Sequence, residues 1–129
     1  MPTFHWLNWR SFNLEALMDS RIDRVLKFIE ENLTSRLTEK SLASHSRLTP
    51  QHFCVLFKAE TGKTPAQYIN DLRMQKARDL LESDKHSHLS IKEVAIRAGF
   101  RDLSHFVRDF EKLFGLSPKR NRKAKLDAG

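Results

Sequence analysis

The sequence predicts an all-α protein of about seven helices, arranged as two similar halves that a long helix joins. Three observations predict this fold class. Apolar residues recur at helical spacing along most of the chain, no alternating run is long enough for a strand, and a set of residues recurs at an offset of 53. The 129 residues, 40% of them hydrophobic, permit one core of ordinary size or two small ones.

Composition narrows the classes of partner. The 23 lysines and arginines outnumber the 16 acidic residues, and the resulting charge of +7 favours polyanionic partners such as nucleic acid. The chain has no apolar run near the ~18 to 20 residues of a membrane span, so we expect no membrane partner. A single cysteine, Cys54, excludes an internal disulfide. Since the N-terminus also lacks a secretion signal, we expect a cytoplasmic protein.

Caps and apolar stripes predict the helices of the first half in order. Residues 21–33 carry apolar side chains at helical spacing behind an aspartate and a serine that can cap the helix. Thr38 opens a short helix that ends near Ser46. Thr49, followed by a proline suited to the first helical position, opens the next helix.

A long helix is predicted to follow and to join the two halves. It begins at a capping box formed by Thr64 and Gln67 and runs without glycine or proline to about Glu82. At ~1.5 Å per residue, such a helix of roughly 18 residues spans ~27 Å. Beyond a polar loop, Ser90 opens a second capping box and Asp102 caps the last long helix.

An internal repeat relates the two halves. Four pairs lie 53 residues apart, namely Phe53 and Phe106, Phe57 and Phe110, Gly62 and Gly115, and Pro65 and Pro118. Leu42-Ala43 matches Val94-Ala95 at 52, so the second copy has one additional residue in its turn. Each copy is a short helix, a tight turn and a second helix, which is the helix-turn-helix pattern whose second helix lies in a DNA major groove.

Two copies favour DNA binding more than one copy would. Packed helical hairpins without a ligand share the pattern, but two of them in a basic chain are typical of a DNA-binding protein. The joining helix is long enough to hold the two second helices about one DNA turn apart, ~34 Å. We therefore expect one monomer to read two successive major grooves of double-stranded DNA.

The repeat and the shifts in composition divide the chain into five predicted segments. These are an N-terminal aromatic segment (1–19), a first helix-turn-helix subdomain (20–63), a linker helix (64–83), a second helix-turn-helix subdomain (84–122) and a basic tail (123–129). The aromatic segment is too apolar for an ordinary disordered arm, and the sequence leaves open a docking surface, a dimer contact, packing on the first subdomain or a remnant of an upstream domain. The tail either extends the DNA contact or is a disordered solubilising end.

Residues from about 20 to 122 resemble the DNA-binding domain of the AraC/XylS family of bacterial transcription regulators. The resemblance rests on SIKEVAIRAGFRDLSHFVRDFEKLFGLSP in the second copy, LTPQHFCVLFKAETGKTPAQYI in the first, and LRMQKARDLL in the linker. It implies seven helices in two subdomains, and an activator or occasional repressor that contacts RNA polymerase. Because little chain remains for an effector-binding domain, the chain is most similar to stand-alone members, and a fragment of a longer regulator is equally compatible.

The residues that read DNA bases are predicted in two ways. The apolar stripes place Phe53, Leu56 and Phe57 of the first recognition helix, and Phe106, Phe110, Leu113 and Phe114 of the second, toward the core. By resemblance, the base-contacting positions of the family map onto Gln51, Cys54, Val55, Leu103, Ser104, Val107 and Arg108. Apart from Leu103, these positions are also the ones that the stripes leave free.

The side chains at these positions differ in which bases they can bind. Arg108 can donate two hydrogen bonds to a guanine, Gln51 can pair with an adenine, and Val55 or Val107 can touch only a thymine methyl group. Arg108 is therefore the expected strongest reader, the alternative being a solvated surface arginine.

Phosphate contacts are predicted at helix N-termini and at nearby cations, which set the register of the protein on DNA. The side chains predicted for this role are His52, Lys58, Lys63, Arg101, His105, Lys112, Lys119 and Arg120. Partial packing is an alternative for the two histidines. Asp102 would repel a phosphate, so its expected role is capping.

No catalytic residue, metal site or cofactor is predicted. The histidines and Cys54 do not offer four ligands at a recognised spacing. A protein-interaction adaptor of the same fold, acting on RNA polymerase or another regulator, is the main rival, and alkyl transfer to Cys54 is a third hypothesis. Two departures from the family pattern matter. Arg47 stands where the second turn has Gly99, which implies strain, and Asn121 replaces an aromatic residue, which predicts a frayed last helix.

Overall fold

The computed structural model describes residues 19–128, and all of their regular structure is helical. In this part of the chain the α-helices are α1 (Ser20–Glu31), α2 (Glu39–Ser46), α3 (Pro50–Thr61), α4 (Pro65–Glu82), α5 (Ile91–Ala98), α6 (Leu103–Phe114) and α7 (Pro118–Ala128). A single 3-10 turn, Asp84–His86, follows α4. The all-α prediction is confirmed. The aromatic segment lies outside the described residues, apart from Asp19.

The described residues form two compact units that divide within α4, between Asn70 and Asp71. The first unit contains α1, α2, α3 and the first residues of α4, and the second contains the rest of α4 with α5, α6 and α7. The helix that the sequence suggests as a linker therefore supplies residues to both units. None of the helices between residues 19 and 128 combines the length and apolarity needed to cross a membrane.

Predicted capping boxes start two of the helices. At α4, the Thr64 hydroxyl accepts the Gln67 N–H at 3.2 Å while the Gln67 side chain accepts the Thr64 N–H at 3.0 Å. At α5, Ser90 and Glu93 make the same reciprocal pair, at 3.0 and 3.4 Å. Each box satisfies two backbone donors that a helix start leaves without a partner, so local sequence fixes where these helices begin.

The core of the first unit combines the apolar face of α1 with the phenylalanines of α3. Its fully buried side chains are Ile22, Val25, Leu26, Ile29, Leu42, Phe53 and Phe57. The Phe57 ring packs 5.5 Å from the Phe53 ring and meets the ring of Tyr68 edge-on at 5.4 Å. These contacts fix the inward face of α3, and Leu56 beside them is only half-buried.

The core of the second unit surrounds the corresponding phenylalanines of α6. Phe106 and Phe110 are fully buried, and the buried residues around them are Met74, Ala77, Leu81, Leu89, Val94, Ala95 and Ala98. Phe114 packs against this cluster with its ring 4.6 Å from that of Phe110. The prediction that Leu113 faces inward is wrong, because its side chain is 51% exposed. Leu113 lies in the last turn of α6, at the edge of the stripe that the phenylalanines define.

The turns between the paired helices adopt a left-handed conformation at different residue types. Gly99 has φ +103° and Arg47 has φ +62°. An L-residue with a side chain pays ~1 to 2 kcal/mol in this region, so the strain predicted for Arg47 is present. Ser46 before it is buried, and its hydroxyl donates to the Ala43 carbonyl at 2.7 Å.

Polar contacts hold α7 in the second unit. The Asn121 amide donates to the Glu82 carboxylate at 3.0 Å, and the Arg122 guanidinium donates to the Leu89 carbonyl at 2.6 Å. Asn121 is buried, and α7 continues to Ala128. The expected fraying is therefore wrong, because hydrogen bonds replace the missing aromatic contact. The predicted boundary at 122/123 falls inside this helix.

Candidate nucleic-acid interface

The two recognition helices, α3 and α6, begin and end in matching ways 53 residues apart. Thr49 caps α3 by accepting the His52 N–H at 3.3 Å, and Asp102 caps α6 by accepting the His105 N–H at 2.9 Å. Both helices end at a glycine of positive φ, Gly62 at +77° and Gly115 at +83°. Each glycine donates its N–H to a carbonyl four residues earlier at 2.8 Å. The repeat is therefore structural as well as sequential.

The outward face of α3 presents several exposed side chains that can reach a ligand. They include Gln51, His52, Val55 and Lys58. Val55 is 70% exposed, an unusual environment for so apolar a side chain. Among the residues predicted to touch bases on this helix, only Cys54 is half-buried. The structure thus leaves Gln51 and Val55 accessible to a ligand and places Cys54 at the edge of the core.

The surroundings of Cys54 keep its thiol protonated. Burial raises the pKa of the Cys54 thiol, and the nearby carboxylate of Glu39 raises it further through its charge and a hydrogen bond. A nucleophilic cysteine needs the opposite, a neighbouring cation that lowers the pKa. Nothing in this geometry therefore supports alkyl transfer. Within residues 19–128, no group of three or more His, Cys, Asp or Glu could hold a metal ion.

The outward face of α6 forms one open depression. The residues that line it are Leu103, Ser104, Val107, Arg108, Glu111 and Lys112. It brings together all four of the base-contacting residues predicted on this helix. Ser104 and Arg108 are exposed and Leu103 is 39% exposed, whereas Val107 also packs against the core of the second unit. Glu111 was not predicted as part of this surface.

Most of the predicted phosphate-contacting side chains are exposed. His52, Lys58, Arg101, His105, Lys112, Lys119 and Arg120 are exposed, and Lys63 is half-buried. At α6, the cap occupies the amide of His105, the third helical residue, so the amides of Leu103 and Ser104 remain as donors at the helix start. These amides can bind a phosphate because the helix dipole is positive there.

Arg73 is a further cation near the start of α6, and the sequence did not predict it there. Arg73, on α4, is partly buried, which lowers the pKa of its guanidinium, and the charge of Arg101 lowers it further. An arginine stays protonated even so, because the ordinary pKa of a guanidinium lies far above neutrality. Two positive charges therefore lie close together in the second unit. The helical pattern gave no sign of this, because the two residues are distant in sequence.

Comparison with known proteins is consistent with this arrangement. A sequence profile of the family described as "Helix-turn-helix domain" matches residues 42–124. The chain is 35% identical over 101 residues to the HTH-type transcriptional activator RhaS of Citrobacter koseri, a match that covers 78% of this chain and 35% of RhaS. The chain thus spans about a third of the length of the curated relatives it matches.

Solved structures that resemble this chain also belong to transcription regulators. The DNA-binding domain of AdpA, a global transcriptional factor crystallised with a target DNA, superposes with a TM-score of 0.75 at 29% identity and covers 81% of this chain and 91% of that domain. A probable AraC family transcriptional regulator from Rhodopseudomonas palustris superposes with a TM-score of 0.73 at 25% identity, covering 83% and 98%. The chain therefore belongs to the AraC/XylS family and contains the DNA-binding domain of a transcription regulator.

Proposed function

We propose that this protein is a sequence-specific, double-stranded DNA-binding transcription regulator that acts as an activator and reads two adjacent major grooves with α3 and α6. One observation carries the proposal. Each copy buries its pair of phenylalanines and leaves the opposite face of its second helix open to a ligand, with matching caps 53 residues apart. Two similarities support it. RhaS is named as a transcriptional activator, and the DNA-binding domain of AdpA was crystallised with a target DNA.

The proposed contacts divide between bases and phosphates. Base edges are assigned to Gln51, Cys54, Val55, Leu103, Ser104, Val107 and Arg108. Phosphates are assigned to His52, Lys58, Lys63, Arg101, His105, Lys112, Lys119 and Arg120. The exposed Arg108 is the only one of the seven base-contacting side chains that carries a charge. It can donate two hydrogen bonds to guanine O6 and N7, the commonest specific contact in the major groove.

The organisation of the protein follows from the same proposal. We propose functional subdomains at residues 20–63 and 84–122, with 64–83 as the linker, 1–19 as a separate segment and 123–129 as a basic tail. These bounds differ from the compact units, which divide within α4, and the tail begins inside α7. One monomer would occupy one site on DNA and recruit RNA polymerase, in the cytoplasm of a bacterium. Catalysis and a cofactor play no part in this function.

Selection of bound sequences from a random duplex pool tests the proposal. The affinity of the selected site should then be measured at two salt concentrations, because phosphate contacts make binding steeply salt-dependent. Two half-sites about one helical turn apart would support reading by both helices. A single half-site would restrict base reading to one helix, and weak binding to every sequence would contradict sequence-specific regulation.

The chemistry of α3 favours a second candidate, a protein-interaction adaptor of the same fold. The base-contacting candidates of α3 carry no charge, and Val55 is 70% exposed. Such a surface suits a protein partner as well as a thymine methyl group. Binding of purified RNA polymerase without DNA, lost in Val55→Ser, would favour the adaptor. Binding of polymerase only on promoter DNA would favour the regulator.

A further inference from the structure

Glu111 lies on the outward face of α6, and a carboxylate is costly there if this face enters DNA as proposed. It lines the same depression as Ser104 and Arg108, and its side chain is exposed. The three residues are spaced at i, i+4 and i+7, which places them along one face of the helix. Within the described part of the chain, no hydrogen bond or ion pair engages the Glu111 carboxylate. Its acceptor oxygens are therefore available to a ligand.

A negative charge on this surface opposes binding to DNA in general. The chain carries a net charge of +7, and the neighbouring Arg108 and Lys112 are cations. Phosphates repel the carboxylate, so Glu111 lowers the affinity for any duplex that offers it no hydrogen-bond donor. Only a donor on a base edge can offset this cost.

The major groove limits which base that donor belongs to. An ionised carboxylate only accepts hydrogen bonds. Guanine presents two acceptors and thymine presents an acceptor and a methyl group, so neither suits it. Adenine offers an amino group beside the N7 acceptor, which repels a carboxylate. Cytosine offers its N4 amino group, which is the established partner of acidic side chains.

Helix geometry places this cytosine next to the guanine assigned to Arg108. Residues 108 and 111 are separated by three helical steps, a rise of ~4.5 Å. Neighbouring base pairs are stacked ~3.4 Å apart. The two side chains therefore match two consecutive base pairs when α6 lies along the groove.

We infer that Glu111 is a specificity-determining residue of α6, which accepts a hydrogen bond from the N4 amino group of a cytosine in the base pair adjacent to the guanine read by Arg108. It lowers affinity for DNA in general and raises discrimination at one base pair. This inference rests on the proposed function, since it requires α6 to enter a major groove.

The test compares Glu111→Gln with the intact protein on the selected site and on its single base-pair variants. A glutamine keeps the size of the side chain but removes its charge. We expect the preference for cytosine at one position to fall about tenfold, the scale of one mismatched base pair, while affinity for random duplex rises. Asp109→Asn is the matched control, because it makes the same charge change on α6 outside the depression. This control should leave the base preference unchanged.

A second variant separates the hydrogen bond from the charge. Glu111→Asp keeps the negative charge but is shorter, so we expect it to lose the preference for cytosine without a rise in affinity for random duplex. An equal gain of affinity for all sequences in Glu111→Gln would overturn the inference by leaving only repulsion. An unchanged preference in both variants would also overturn it. If the intact protein selected no site, the proposed function would fail as well, whereas a selected site with no effect at Glu111 would refute the inference alone.

Discussion

At the scale of single residues, the two copies use one scaffold for different chemistry. Positions 53 apart pair Val55 with Arg108, and Gln51 with Ser104. Both Val55 and Arg108 are exposed on their recognition helices. The first can offer only apolar contact and the second offers a fork of hydrogen-bond donors. The two proposed half-sites should therefore differ in base composition.

Arg108→Ala should lower the affinity for the selected site by about 1 to 3 kcal/mol and relax the preference at one base pair. The reason is the loss of the two hydrogen bonds that we propose Arg108 donates to one guanine. Affinity of the variant for each single base-pair substitution of the site measures the effect. Arg101→Ala serves as the comparison, because loss of a phosphate contact should weaken all sequences equally and reduce the salt dependence by about one charge. Uniform weakening by Arg108→Ala would reassign it to the phosphates.

Arg47→Gly should stabilise the first unit. A glycine relieves the ~1 to 2 kcal/mol cost of the left-handed conformation, and its greater freedom in the unfolded chain returns ~0.5 to 1 kcal/mol of that gain. We expect the free energy of unfolding to rise by about 0.5 to 1 kcal/mol, measured by urea denaturation. Arg47→Ala controls for the loss of the charge and should give no increase. Equal stability of the two variants would contradict the argument from strain.

The predictability of individual side chains depended on their distance from the apolar stripe. Arg108 and Ser104 lie opposite the phenylalanines, so helical periodicity alone predicted that they face away from the core. Cys54 and Val107 lie at the border of the stripe, and only the packing of neighbouring helices decides that they are half-buried. Leu113 was misplaced for the same reason. Glu111 was not predicted as part of the outward face of α6, because phosphates repel a carboxylate and a DNA-binding face is expected to carry cations.

At the scale of helices, α7 shows how a polar residue can replace an aromatic one. Tyr68 and Asn121 occupy equivalent positions 53 apart, and both are buried. Tyr68 packs edge-on against Phe57, whereas Asn121 donates a hydrogen bond to Glu82. That partner is 39 residues distant in sequence, so no local pattern could reveal it. Caps and glycine stops, which are local, were predicted correctly.

The stability of the second unit should fall in acid through Glu82. Partial burial opposes ionisation of this carboxyl, but hydrogen bonds from Asn121 and Arg78 outweigh it and lower its pKa below the ordinary 4.5. A lowered pKa means that the ionised form stabilises the fold. The contribution is complete above pH 4.5 and is lost as the pH falls through the lower folded-state value.

Thermal denaturation of Glu82→Gln between pH 3 and pH 7 measures this contribution. The variant should lose most stability at the neutral end and approach the intact protein at the acidic end. Asn121→Ala should flatten the pH dependence in the same direction, and the double variant should show less than the sum of the two losses, because both remove one interaction. Parallel curves for the intact protein and Glu82→Gln would contradict the assignment.

At the scale of the whole molecule, the boundary between the two units lies inside a helix. α4 is helical without interruption from Pro65 to Glu82, and the units divide within it. The repeat predicted two similar halves because matching residues recur in the sequence at a fixed offset of 53. Residues 70 and 71 could not be predicted as the division, since they lie in the middle of a continuous helical pattern.

Reading of two grooves by one chain should require a fixed spacing of the half-sites. The half-sites of the selected sequence should lie about 10 base pairs apart. An insertion of five base pairs turns them to opposite faces of the duplex, so affinity should fall to that of a single half-site. An insertion of ten base pairs should not restore it, because a helix of 18 residues spans only ~27 Å. Restored affinity at ten base pairs would contradict this limit, because it would require the segment between the two recognition helices to lengthen.

The exposed valine of α3 has a consequence for the chemical state of the DNA. What Val55 would recognise on a thymine is the C5-methyl group in the major groove. Methylation of cytosine at C5 places the same group at the same position, and a side chain without hydrogen-bonding atoms does not distinguish the two. Methylation of a cytosine at the position contacted by Val55 would therefore change the affinity of that half-site. The guanine contact proposed for Arg108 uses N7 and O6, so it involves no methyl group.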